Sequence, residues 1–284
     1  METRELDSAP ALGPLYAKAA AGSLPLVGGG GAELPDRAYA LDAVEIEPER
    51  LADFAELCGF ALRNELPPTY PHLLGFPLSM RLMTERDFPF ALLGLVHVAN
   101  RIEQRAPLAV DSRPAIRVWA ENLRPHHRGR QLDVVTEASV GGDVAWLERS
   151  TYLRPGGGSG ERPGGDDDPL AGAAAVAVWR VPGDIGRRYA AVSGDRNPIH
   201  LHSLSARAFG FASAIAHGMW TYARALAWLD GRLAPAHVSE VTFRAPLRIP
   251  GRARLLAGRR ADGWDLGLES PDGEHRHLDL SVRA

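Results

Sequence analysis

Two short runs decide the reading of this chain: Tyr189-Ala-Ala-Val-Ser-Gly-Asp-Arg-Asn-Pro-Ile-His200 and, a little further on, Ile215-Ala-His-Gly-Met219. Gly194, Asn197 and Pro198 each disfavour helix for a separate reason, so the chain must turn sharply here. The turn brings Asp195, Asn197 and His200 together. A carboxylate and an imidazole held on one rigid turn can share a single water and move a proton on and off carbon or oxygen. The same Asp-x-Asn-Pro pattern also serves simply to cap a helix, with Asp195 bonding backbone N–H groups near Asn197.

Outward from the turn, the spacing predicts a short helix over Ile185, Tyr189, Ala190 and Val192, closed by Gly194. A helical turn is expected over Ser205–Phe209, and a long apolar helix over Ala214–Leu229. Strands are expected over His237–Phe243, Ala253–Ala257, Trp264–Leu268 and His277–Val282. Upstream, Leu51, Phe54, Ala55 and Cys58 fall at helical spacing before Gly59. Tyr70–Met83 reads as irregular and then helical. Strands are expected over Leu93–Ile102, Ala115–Ala120, Leu132–Val140 and Val144–Leu153, with Gly141-Gly142 as the hairpin turn between the last two.

The two halves read as copies. Arg-Ala-Pro-Leu occurs at 105–108 and again at 244–247. Phe54-Ala55 matches Tyr189-Ala190, and Gly59 matches Gly194. The expected fold class is α+β: two long helices, each wrapped by a curved antiparallel sheet, as a pseudo-dimer within one chain. The expected domains are 1–154, with an N-terminal extension, and 170–284. Pro-, Gly- and Asp-rich residues 155–169 between them read as a flexible linker. After Gly59 the first half lacks an Asp–His pair. It places Pro77 where the second half has Gly218, and proline has no N–H to give.

Composition sets limits. The chain has 284 residues, 45% of them hydrophobic and 24% charged, with formal net charge −3. That balance leaves no basic footprint for nucleic acid. One cysteine, Cys58, allows no disulfide framework or thiolate metal site within the chain. No signal-peptide pattern or membrane span is visible, so the expectation is a cytoplasmic, soluble protein. Gly28–Gly31 lacks the Lys-Ser/Thr of a phosphate loop, and Asp166–Asp168 reads as a solvated acidic tip. His202 and His217 read as structural or exposed histidines. No metal is expected at Asp195, His200 and His202, because the Asn-Pro break sets no ligand spacing.

The motif Tyr-x-x-x-Ser-Gly-Asp-x-Asn-Pro-x-His followed by His-Gly-Met resembles that of the MaoC-like, R-specific enoyl-thioester hydratases (hydratase 2). In its full length the chain is similar to the mycobacterial (R)-3-hydroxyacyl-ACP dehydratases with a double hotdog fold and a degenerate first half. The resemblance implies a lyase with no cofactor. It would hydrate trans-2-enoyl thioesters, or dehydrate (3R)-hydroxyacyl thioesters, in fatty-acid elongation or related lipid metabolism. Its partner would be an acyl-CoA or acyl-ACP thioester, and a homodimer is possible. Asp195 and His200 would be the catalytic pair, Asn197 would orient the water or the His ring, and the Gly218 N–H would bind the thioester oxygen. Two alternatives stand beside this reading: a hotdog acyl thioesterase and a non-catalytic acyl-binding subunit.

Overall fold

The computed structural model of the chain describes residues 1–22, 33–160 and 168–284. The Gly28–Gly31 run lies outside the described residues, as do residues 161–167 of the expected linker, Asp166-Asp167 among them. In chain order the elements begin with β1 (Glu2–Glu5), α1 (Leu12–Gly22), β2 (Arg37–Leu41), α2 (Pro48–Cys58) and α3 (Pro71–Met83). Then come β3 (Val96–Gln104), β4 (Ala115–His126), β5 (Gly129–Val140), β6 (Asp143–Pro155) and β7 (Ala175–Val181). Four helices follow: α4 (Ile185–Ser193), α5 (Pro198–Leu201), α6 (Ser203–Ala208) and α7 (Gly218–Trp228). The chain closes with β8 (His237–Phe243), β9 (Gly251–Arg260), β10 (Gly263–Glu269) and β11 (Arg276–Arg283). No helix among the described residues is long and apolar enough to cross a membrane.

These elements form two compact units that are interleaved along the chain. The first holds residues 1–46, 71–100 and 108–164; the second holds 47–70, 101–107 and 165–284.

In the first unit the strand order is β1-β2-β4-β5-β6. Strands β2, β4, β5 and β6 pair antiparallel, and β1 joins β2 in parallel. Gly141 and Gly142, both at positive φ, make the two-residue turn between β5 and β6, with Val140 opposite Asp143. Two consecutive left-handed residues match the twist of a hairpin, which is why two glycines sit there. Helix α3 packs across β2, β4 and β5. A Cβ at Gly75 would sit 2.4 Å from Thr136 Cγ2, so glycine lets the helix approach β5 closely. Leu73, Leu78, Met80 and Leu82 of α3 are buried, and α1 adds Leu15 against Phe76 and Met80.

One polar cluster interrupts this apolar core. Glu148, on β6, is almost wholly buried. Both its carboxylate oxygens lie 2.9 Å from His72 Nδ1. Asn100 Nδ2 donates to Glu148 Oε1 at 2.6 Å and to Ser150 Oγ at 3.0 Å. Burial alone would raise the Glu148 carboxyl. The His72 charge and the hydrogen bonds from His72 and Asn100 outweigh it, and the net shift is downward.

In the second unit the order is β8-β11-β10-β9-β7, antiparallel throughout. Helix α7 carries buried Met219, Trp220, Tyr222 and Leu226. Tyr222 Oη meets Ser239 Oγ on β8 at 2.5 Å, and Trp220 Nε1 donates to the Leu57 carbonyl of α2 at 3.2 Å. Helix α2 also packs on α4: Arg50 Nε donates to the Val192 carbonyl at 2.7 Å. The matched positions in these two helices hold the same device. Gly59 and Gly194 both adopt the left-handed conformation, and each returns its N–H to the residue four back, Ala55 and Ala190. Cys58 is buried in this packing, as its helix-face position predicts, and burial pushes its thiol pKa up, away from reactivity.

The structure corrects two expectations. The long helix starts at Gly218, not Ala214. Residues 214–216 are extended and bond across to residues 247–249, with Ala216 N–H donating to the Leu247 carbonyl at 2.8 Å and Ile249 N–H to the Ala214 carbonyl at 3.0 Å. Pro77 is also not the counterpart of Gly218. It lies inside α3, whereas the first residue of α3, the place Gly218 holds in α7, is Pro71. Proline suits a first helical turn, and the contrast in N–H donors survives with a different residue.

Candidate active site

Gly194 ends α4, and the chain turns immediately into Asp195. Asp195 N–H bonds Ser193 Oγ at 3.1 Å, and Asp195 Oδ1 accepts from Asn197 N–H at 3.1 Å. Asn197 Oδ1 in turn accepts from Ile199 N–H at 3.4 Å and caps α5, with Pro198 at its first position. The capping reading of Asp-x-Asn-Pro is therefore realised: these bonds hold the turn in one shape. They do not exhaust the carboxylate. Its Oδ2 stands 3.8 Å from His217 Nε2, and the side chain keeps 31% exposure.

His200 lies on α5 with its Nδ1 2.9 Å from the Ile215 carbonyl. A carbonyl only accepts, so Nδ1 carries the proton and Nε2 is left with a lone pair. The early break before α7 matters here. As part of a helix the Ile215 carbonyl would be spent on an intrahelical bond; in the extended segment it faces His200. Burial lowers the His200 pKa, and Asp195 and the Ile215 bond offset only part of that. The ring is thus a neutral base at neutral pH.

His217 joins the pair. Its ring stacks on His200 with centroids 3.7 Å apart and planes 27° apart, and its Nε2 donates to the Asp195 carbonyl at 3.0 Å. Burial first, and His200 second, push its pKa down to about 3. Nδ1 is buried without a hydrogen-bond partner. The sequence reading set His217 aside as structural or exposed. The structure buries it against both members of the pair. Its place directly before Gly218 was the available signal. His202 is exposed and precedes α6, away from this stack.

A carboxylate oxygen of Asp195 and one ring nitrogen from each of His200 and His217 all lie within 4.8 Å of one another. Such a trio has the composition of a metal site. Its geometry fits poorly: near-parallel stacked rings send their lone pairs side by side rather than toward one point. One nitrogen of each ring is also committed to a backbone carbonyl. The arrangement suits proton transfer better than coordination.

Gly218 is the first residue of α7, so its N–H has no acceptor within the helix. A Cβ there would sit 3.0 Å from the Phe243 ring, so any side chain at this position would press on that ring. His217, the N-cap, makes no side-chain capping bond, which leaves the positive end of the helix dipole unfilled.

Gly186, the second residue of α4, lies against the backbone of His200. A Cβ at that position would lie 1.9 Å from the His200 carbonyl oxygen. Helix propensity alone predicts that Gly186→Ala stabilises by about 1 kcal/mol. Here the contact decides the sign. The variant must move α5, and with it His200, so turnover should fall roughly tenfold, with a lowered melting temperature. Undiminished turnover with a raised melting temperature would show that His200 does not depend on this contact.

The chain belongs to the MaoC-like dehydratase family. The family model for the MaoC like domain matches residues 176–259, which span the whole turn, α7 and β8. The chain is 41% identical over 269 residues to 3-hydroxyacyl-thioester dehydratase X of Mycobacterium tuberculosis, covering 94% of this chain and 95% of that one. The crystal structure of HtdX from Mycobacterium tuberculosis is 41% identical and aligns with a TM-score of 0.77 over 86% of this chain and 99% of that chain. A further Mycobacterium tuberculosis structure, described as a double hotdog fold, aligns at 16% identity with a TM-score of 0.52 over 88% of this chain and 96% of that one. The fold is the double hotdog, as the paired helix-and-sheet pattern of the sequence predicts.

Proposed function

We propose that this chain reversibly hydrates trans-2-enoyl thioesters to (3R)-hydroxyacyl thioesters, carried on CoA or on a carrier protein. The observation that carries the reading is the neutral His200 ring grouped with the Asp195 carboxylate and stacked on His217, the residue directly before Gly218. In the hydration direction Asp195 and His200 hold one water. Its oxygen bonds C3 while His200 Nε2 takes its proton. The electron pair of the C2–C3 double bond moves onto the thioester carbonyl oxygen. The Gly218 N–H and the start of α7 stabilise that negative charge. The imidazolium then returns the proton to C2 and the carbonyl re-forms. Dehydration is the same path reversed. Asn197 acts by fixing the turn through its cap on α5. The relative named as a 3-hydroxyacyl-thioester dehydratase supports the same reaction class here.

The test is to mix the protein with crotonyl-CoA and follow enoyl absorbance and free thiol together. Loss of absorbance without thiol release is expected. Thiol release would favour the thioesterase reading, which attacks C1. Binding without turnover would favour a non-catalytic acyl-binding subunit.

A further inference from the structure

His217 is an odd choice for its place in the fold. It is the N-cap of α7, yet its side chain makes no capping bond. Serine, threonine, aspartate or asparagine there would satisfy one of the helix's open N–H groups. Nor does it serve as apolar filling. The ring is buried, and its Nδ1 has no hydrogen-bond partner among the described residues. A buried acceptor left unpaired is costly, and a phenylalanine would avoid that cost. A residue that suits neither a helix cap nor a core answers some other demand on the position.

The ring touches the acid–base turn at several points. It lies on the His200 imidazole, with 3.7 Å between centroids. Its Nε2–H reaches the carbonyl of Asp195 at 3.0 Å. Tyr189, on α4, stands beside it with ring centroids 4.9 Å apart. The backbone that carries the ring is held on both sides. Ala216 N–H bonds the Leu247 carbonyl at 2.8 Å, and the His217 carbonyl accepts the Thr221 N–H at 3.2 Å in the opening turn of α7. His217 also stays neutral, since burial holds its pKa at about 3. A proton arriving at the stacked pair therefore settles on His200, and a neutral aromatic face against the resulting imidazolium is favourable.

We propose that His217 is a positioning residue: its ring is the platform that holds the His200 imidazole in place, and its bond to the Asp195 carbonyl locks the acid–base turn to the start of α7. The inference rests on the hydratase reading above and adds a residue to that same site. It requires no contact between His217 and substrate. In that reading the water is handled by the turn and the thioester oxygen by the first residue of α7, so the two elements must keep a fixed register. A misplacement of about 1 Å costs up to about a hundredfold in rate. His217 belongs to the start of α7 by its backbone and to the turn by its ring, which is the connection such a register needs.

Three variants separate the parts of this role. His217→Phe keeps a ring and removes the donor, His217→Gln keeps a donor and removes the ring, and His217→Ala removes both. With crotonyl-CoA, kcat should fall about tenfold in each of the first two and about a hundredfold in the third, with KM within about twofold of wild type. The pH profile reads the stack itself. Asp195 from the turn and His217 from the start of α7 are the ionisable groups that meet His200; Arg187 on α4 is held on the Leu201 carbonyl, and Arg207 on α6 on the Ala212 carbonyl. Burial lowers the His200 pKa. His217→Ala uncovers the ring, so that pKa rises toward 6.5 and the acid limb of kcat/KM moves up. His217→Phe keeps the ring covered, so the limb stays at its wild-type position. A kcat within about twofold of wild type in His217→Ala, a loss carried by KM, or an acid limb that moves alike in the Ala and Phe variants would overturn the role. Should His217→Ala fail to fold, wild-type kcat in both the Phe and Gln variants would overturn it. If wild-type protein does not hydrate crotonyl-CoA, the hydratase reading fails on its own. The platform is then judged by NMR titration of the His200 ring, and equal titration in wild type and His217→Gln would overturn it.

Discussion

Asp195→Asn and His200→Ala should each lower turnover about a hundredfold or more while leaving the melting temperature within a few degrees. Asp195→Asn keeps an oxygen to accept the Asn197 N–H, so the turn should hold its shape. What it loses is the charge that positions water and supports the imidazolium. His200→Ala removes the base itself. The pH profile gives an independent reading of the same pair. His200 must be neutral to take a proton, and its folded pKa lies below the ordinary 6.5 because it is buried. The acid limb of kcat/KM should therefore fall below pH 6.5: activity is full above the lowered pKa and lost as pH drops through it. An acid limb at or above 6.5, or wild-type rates in both variants, would remove His200 from the role of base.

Much of this site is legible in the sequence because its parts are contiguous. Gly194 through His200 is one turn, and each residue's part in it follows from local chemistry. What sequence reading loses is whatever depends on partners far along the chain. Ala214–Ala216 reads as helix because it is apolar and free of proline. Pairing with residues 247–249 overrides that propensity and frees the Ile215 carbonyl for His200. His217 looks like a bland histidine because the stack that defines it forms only when α7 meets the turn. Strand β7 is missed because Ala175–Val181 shows no alternation; Val176 and Val178 are exposed on an edge strand. The repeat, by contrast, is visible at Gly59 and Gly194 because a left-handed cap is a demand that glycine meets locally. The place of α2 beside α4 is set by packing, and no shift in composition marks it.

The largest effect on stability is expected at Glu148, which no motif announces. His72, Asn100 and Glu148 are scattered over the sequence and meet only in the folded first unit. Glu148 sits in a run from Ala145 to Glu148 that is buried at every residue, so the alternation that would flag a charged position as solvent-facing is absent. His72→Ala leaves the buried carboxylate with the Asn100 hydrogen bond but without the His72 charge and should cost about 3–5 kcal/mol. Glu148→Gln keeps an acceptor for Asn100 and removes the charge, so it should cost less, about 1–2 kcal/mol. Replacing both residues by leucine should cost less than the sum of the two single replacements, because a paired charge and its desolvation leave together. The sign with pH follows from the lowered Glu148 pKa. A carboxylate whose folded pKa is depressed stabilises the fold fully above its unfolded value of 4.5 and loses that contribution as pH falls through the folded value. Denaturant melts from neutral pH down through the carboxylate range should therefore show wild type losing stability faster than Glu148→Gln. Parallel pH dependence for the two proteins, together with a cost for His72→Ala no greater than that of an exposed pair, about 1 kcal/mol or less, would mean that Glu148 is buried as the neutral acid and that His72 does not hold its charge.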